Sequence, residues 1–228
     1  MNGSIPLYRL GAIVAFAVAF GGFAPSYYLK SAYGTPELDA FRHLHGLVMT
    51  AWYVIFLVQA HLVATDRVET HRRLGIAGAF VAVLVVVVGT ALGIASARSG
   101  VNPAGVPPKV FLVLPLGEML AFAALVSTAI ALRARPEYHK RLMLLATLAM
   151  LAPAVARLPL ALSQVGPLAH FAMVDLIILA FVAFDTVRQR RLHPAFVAGF
   201  AFIVVVQVGR LAISQTRAWD AFATWLIG

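Results

Sequence analysis

Long apolar runs separated by short polar connections dominate the chain. A membrane-spanning helix needs about 20 apolar residues, because a rise of about 1.5 Å per residue must cover a hydrocarbon core of about 30 Å. Seven runs approach this length, so we predict an all-α, polytopic transmembrane helix bundle that forms one domain over residues 1–228. The predicted spans are residues 8–23, 41–64, 73–97, 110–132, 142–158, 168–187 and 194–214, followed by an amphipathic interfacial segment at residues 217–228. Pro153 predicts a kink in the fifth span.

The composition supports a membrane protein and excludes several chemistries. The 228 residues are 61% hydrophobic and only 12% charged, whereas roughly a quarter of the residues in a soluble domain are charged. The net charge of +9 is spread over short clusters between the apolar runs, so nucleic acid is not an expected partner. Because the chain has no cysteine, disulfides, thiolate metal sites and cysteine nucleophiles are excluded.

The distribution of positive charge predicts the orientation of the bundle. Eleven lysines and arginines fall on one side of the predicted spans and six on the other. Cytoplasmic loops carry the excess of positive residues in membrane proteins. We therefore expect the N-terminus in the cytoplasm and the C-terminus in the periplasm, and we interpret the first apolar run as a span and not as a signal peptide.

A short repeat precedes the third and fifth spans. Residues 67–74 and 135–142 both read R-x-E-x-H-[RK]-R-L, and the even number of spans between them predicts parallel helix pairs. The repeat places a cluster on the cytoplasmic face: His71, Arg72, Arg73, His139, Lys140 and Arg141. Its glutamates could neutralise the arginines in a structural collar, or could hold them around an anion site for a lipid headgroup. A need for acidic and basic residues at two helix starts would also explain the pattern.

The chain resembles a group of uncharacterised bacterial membrane proteins with about seven helices. The resemblance rests on the HRRLG motif at residues 71–75 and the HKRLMLLA motif at residues 139–146, and covers most of the chain from His45 to Trp225. It implies a location in the bacterial cytoplasmic (inner) membrane and this number of helices. It implies no reaction.

Several polar residues are predicted to lie at the depth of the bilayer. An ionisable side chain there costs about 2.5 kcal/mol or more, so each needs a partner or a purpose. Arg210 is predicted to pair with Asp175 or Glu118, which lie at similar depth in neighbouring spans. We predict a binding pocket in the outer half that is lined by His45, Trp52, Glu118, Arg157, His170, Asp175 and Arg210. A buried ion pair that only fixes helix packing is the alternative.

Two classes of function fit these residues, and the sequence leaves open whether the protein is an enzyme. The first is a binding or accessory membrane protein whose pocket holds a small ligand, a lipid headgroup or a partner helix. The second is a b-type cytochrome with haem held by His45 and His170, or by His61 and His139, since imidazole is a common haem ligand. A small-molecule transporter is a further alternative. Outside the haem alternative no cofactor or metal is expected, and the expected partners are membrane lipids and other membrane-protein subunits.

Overall fold

The computed structural model describes residues 7–100, 106–158 and 166–228, and within these ranges the chain is helical without any β-strand. A π-helical turn at Ala24–Tyr28 continues the first helix. The α-helices are α1 (Leu7–Phe23), α2 (Lys30–Tyr33), α3 (Ala40–Ala64), α4 (Val68–Arg98), α5 (Pro108–Ala131), α6 (Pro136–Ala149), α7 (Ala152–Val155), α8 (Gly166–Gln189), α9 (Pro194–Ile213) and α10 (Arg217–Ile227).

Six helical segments in the described ranges are long and apolar enough to cross a membrane. They are α1 with the π-helical turn, α3, α4, α5, α8 and α9. The predicted fifth span is instead divided between α6 and α7, and neither piece has the length of a span. The all-α bundle with about seven spans is confirmed, with one crossing built from two helices.

Contacts with α1 show that the α6–α7 segment traverses the same thickness. Near the start of α1 and of α6, the Lys140 ammonium lies 5.3 Å from the centre of the Tyr8 ring. Near their ends Gly22 of α1 lies directly against the backbone of Ala154 in α7. The α6–α7 segment therefore runs parallel to α1 over its length.

The interruption between α6 and α7 follows from Pro153. Proline lacks the N–H that would bond the carbonyl four residues earlier, and its ring clashes with that carbonyl. The affected carbonyl belongs to Ala149, where α6 ends. Tyr53 of α3 donates a hydrogen bond to the Met150 carbonyl at 3.4 Å, which supplies a partner inside the break. The predicted kink is therefore a full break. It is tolerated because other helices cover the backbone groups that the break leaves unpaired.

The α6 helix is the centre of the bundle. Its residues 144–148 have no exposed surface, and a helix that is buried on all sides must be enclosed by neighbours. It packs against α1, α5, α8 and α9. Large apolar side chains point outward from the surrounding helices, such as Phe80 on α4, which is 71% exposed. Such an apolar exterior suits lipid and not water.

The two ends of the bundle differ in charge and in structure. One end, the basic face, contains the connections α3–α4, α5–α6 and α8–α9 together with the starts of α4 and α6. It comprises residues 65–73, 132–141 and 190–193. At the opposite end, α10 lies against the ends of α4 and α5: Lys109 pairs with Asp220 at 2.8 Å, and Arg98 donates to the Leu226 carbonyl at 2.7 Å. This placement agrees with the predicted interfacial segment.

Substituting Gly22 with alanine should destabilise the bundle, because a Cβ there would overlap the Ala154 carbonyl and force α1 away from α7. We expect a loss of about 3 kcal/mol in the free energy of unfolding, the upper range for overpacking. The matched control is Gly21→Ala, whose Cβ would lie 3.6 Å from Leu158, an ordinary contact. Denaturant titration in detergent measures both, and equal effects would show that α1 and α7 do not approach this closely.

Candidate functional site

A buried ion pair lies between α5 and α9 in the half of the bundle away from the basic face. Arg210 Nη1 is 3.1 Å from Glu118 Oε2, and the same nitrogen donates to the Leu114 carbonyl at 2.8 Å. The guanidinium also lies 4.1 Å from the centre of the Phe171 ring on α8. Arg210 thus joins three helices, and of the two predicted carboxylate partners it binds Glu118.

Asp175, the other predicted partner, binds a neutral group. Gln207 of α9 donates to Asp175 Oδ1 at 3.0 Å. Gln207 is buried, whereas Asp175 is only half-buried. We call Glu118, Asp175, Gln207 and Arg210 the polar centre, because they lie together at the α5–α8–α9 contact.

The polar centre is tightly packed. Gly117 provides the room for Arg210, since a Cβ there would lie 2.6 Å from Arg210 Cδ. Glu118 Oε1 and Arg210 Nε are buried without a hydrogen-bond partner. The cavity beside them has a volume of about 10 Å³, which is enough for about one water molecule. The site in this state therefore has room for water and not for a small organic ligand.

The remaining residues of the predicted pocket lie elsewhere. Trp52 belongs to the core, where its ring meets that of Phe122 edge-on at 4.8 Å. Arg157 lies 4.7 Å from the Phe23 ring and donates to the Pro153 carbonyl at 2.7 Å. His45 on α3 has a buried Nδ1 without a hydrogen-bond partner, and His170 lies half-buried near the start of α8. Of the seven predicted residues, the polar centre contains Glu118, Asp175 and Arg210.

A second buried ion pair lies near the basic face, between α6 and α8. Arg141 Nη2 is 2.6 Å from Asp185 Oδ2, and both side chains are almost fully buried. Tyr8 of α1 donates a hydrogen bond to Asp185 Oδ1 at 3.4 Å. Glu137, exposed at the membrane surface, also binds Arg141. Hydrogen bonds from Lys140 and Arg141 lower the pKa of Glu137 to about 2, so this carboxylate is charged at neutral pH.

The two copies of the sequence repeat make equivalent contacts. Glu69 pairs with Arg73 at 3.0 Å, as Glu137 pairs with Arg141, and each pair spans one helical turn. Each glutamate thus pairs with an arginine of its own copy, which is compatible both with the structural collar and with glutamates that hold the arginines around an anion site. The copies differ in burial, because Arg141 is enclosed, whereas Arg72 and Arg73 are exposed.

The histidines of the two repeats meet. The ring centres of His71 and His139 are 6.3 Å apart, with planes inclined at 78°. His61, the partner proposed for His139 in the haem alternative, is exposed near the end of α3. The structure thus places His139 beside His71.

No protein-family model, curated protein or solved structure matches this chain. Its function is therefore inferred from the arrangement of its own residues.

Two residues of these sites were not predicted from the sequence. Gln207 lies three positions before Arg210, on the same face of α9, and this spacing could have identified it. Asp185 lies within the predicted sixth span near the basic face, where an acid needs a cationic partner. Arg141, near the start of the fifth span, lies on the same side of the membrane and was the available partner.

Replacing Arg210 with methionine should strand the Glu118 carboxylate in the bundle. We expect a loss of about 3 kcal/mol or more in unfolding free energy, as for other buried pairs that lose one partner. The double variant Arg210→Met with Glu118→Met should recover part of this loss, because no charge remains unpaired. Arg217→Met, at the exposed start of α10, is the control and should stay within about 0.5 kcal/mol of the parent. Equal losses for Arg210→Met and Arg217→Met would contradict the buried pair.

Proposed function

We propose that this chain is a binding or accessory protein of the bacterial inner membrane, whose α8–α9 surface docks a transmembrane helix of a partner protein. The observation that carries the proposal is Asp175, a half-buried carboxylate at membrane depth whose hydrogen bond comes from a neutral amide. The positive charge on the connections and the resemblance to bacterial membrane proteins support the location.

Asp175 lies on the membrane-facing surface of α8. It follows Gly166, the first residue of α8, by about 14 Å along the helix axis, at about 1.5 Å per residue. Leu168, Ala172 and Leu179 lie on the same stripe, because residues spaced by three or four share a helix face. All three are exposed. The carboxylate therefore interrupts an apolar stripe that faces lipid in the isolated chain.

The cost of this position indicates a missing partner. An ionised carboxylate at this depth costs about 2.5 kcal/mol or more, and the Gln207 amide offsets only part of it, because an amide carries no net charge. Arg210 is the only arginine of α9, but its guanidinium is bound to Glu118. A lysine or arginine on a partner helix would supply the opposite charge.

A partner helix fits this surface better than a small ligand does. The cavity of the polar centre holds about one water molecule, so the accessible part of the site is the outer surface of α8. A symmetric contact with a second copy of this chain would place the two Asp175 side chains close together, and like charges repel. A different protein with a cationic residue at matching depth is therefore the proposed partner.

The proposal is tested with synthetic transmembrane peptides in phosphatidylcholine vesicles that contain the purified full chain. One peptide is a leucine–alanine helix with a single central arginine, and the second has leucine there. Binding is measured by energy transfer to a dye on a cysteine introduced into the chain, which has none of its own. We expect the arginine peptide to bind at least about tenfold more tightly, equivalent to about 1.4 kcal/mol.

Asp175→Asn should remove this preference, whereas Asp220→Asn should retain it, because Asp220 pairs with Lys109 at the end of the bundle. Equal binding of both peptides to the parent chain, or an unchanged preference in Asp175→Asn, would overturn the proposal.

A further inference from the structure

The two repeats bring together a pair of histidines that the proposed function does not use. His71 lies near the start of α4 and His139 near the start of α6, and their rings meet at the basic face. Both occupy the same position of the repeat.

His139 is anchored to the backbone of the preceding helix. Its Nδ1 donates a hydrogen bond to the Ala129 carbonyl of α5 at 2.8 Å, so in the neutral ring Nε2 keeps its lone pair. His71 lies close to the backbone of Gln59 in α3, and its Nδ1 is buried without a hydrogen-bond partner. A histidine that binds a metal is usually held in this way, through a hydrogen bond from its other ring nitrogen to a carbonyl.

The Gln59 side chain provides a further unshared acceptor. Its Oε1 is buried without a hydrogen-bond partner, and its amide lies against α4 where Gly75 and Gly78 leave room for it. Gly75 follows His71 by one helical turn, so the amide lies within about one turn of His71 along α4. Buried polar atoms that lack a partner are uncommon and call for an explanation.

We propose that Gln59, His71 and His139 bind a single copper(I) ion. A metal 2.0–2.1 Å from one nitrogen of each imidazole holds the ring centres at roughly 5–6.4 Å, depending on the angle at the ion, and the observed separation is 6.3 Å. This value lies at the upper end of the range, so the two nitrogens bind on nearly opposite sides of the ion. Imidazole ligands suit copper and zinc, but zinc holds its ligands tetrahedrally, which would bring the ring centres to about 5 Å. Copper(I) therefore fits this separation better.

The surroundings of the rings are compatible with a cation. Of the neighbouring cations, Arg73 and Lys140 are each paired with a glutamate of their own repeat, which reduces the repulsion on the ion, and Arg72 is exposed. Among the described residues no third histidine, cysteine or carboxylate joins the pair. The Gln59 amide oxygen is therefore the third donor, and the ion keeps an open position for water or an exchangeable ligand.

The test uses the purified full chain after treatment with a chelator. Copper(I) is delivered from a coloured competing chelator. We expect one ion per chain, and a loss of affinity of at least about 30-fold in His71→Gln and in His139→Gln. His61→Gln is the matched control, an exposed histidine at the end of α3, and should bind as the parent does.

Gln59→Leu keeps both histidines and the backbone anchor of His139, so it tests the site even where a histidine variant unfolds. We expect an affinity about tenfold weaker than that of the parent chain. Failure of the parent to bind one equivalent of copper(I), or parent-like copper(I) binding by the folded His71→Gln variant, would show that the two rings are only an aromatic pair.

Discussion

The absence of water inside a bilayer is the constraint on which this structure depends. A charged side chain there must find its partner within the protein, and a broken backbone must find its hydrogen bonds there too. Two buried ion pairs meet this requirement: Arg141 with Asp185 near the basic face, and Arg210 with Glu118 in the other half. One ties α6 to α8 and the other ties α5 to α9, so together they fix the neighbours of the central helix at two depths.

The central α6–α7 segment shows the same constraint acting on the backbone. Pro153 breaks this crossing, and the break is tolerated because α1 and α3 cover it, with Tyr53 bonding the Met150 carbonyl. Removing either partner of an ion pair costs far more than the pair contributes, because the remaining charge stays buried. Asp175 differs from the other intramembrane acids in this respect: its amide partner leaves the charge uncompensated, and that difference is the basis of the proposed docking surface.

Much of the fold could be predicted from the sequence, because each crossing is marked locally by its own apolar run. Pro153 marked the interruption, and the repeat placed His71 near His139. The pairing of Arg210 with Glu118 and not with Asp175 could not be predicted. The depth of a residue along its helix does not determine the direction in which its side chain points around the helix axis. Asp185 was missed for a related reason: its partner Arg141 was assigned to the surface, whereas α6 buries it.

The number of crossings tests the central claim most directly, because the account requires the interrupted α6–α7 segment to cross the bilayer. The chain has no cysteine, so a single cysteine placed either beside Arg9 or after Gly228 can be labelled alone. In sealed cells, a thiol reagent that cannot cross the membrane should label the C-terminal cysteine and leave the N-terminal one unlabelled until the cells are opened. Labelling of both cysteines from the same side would mean an even number of crossings and would contradict the account.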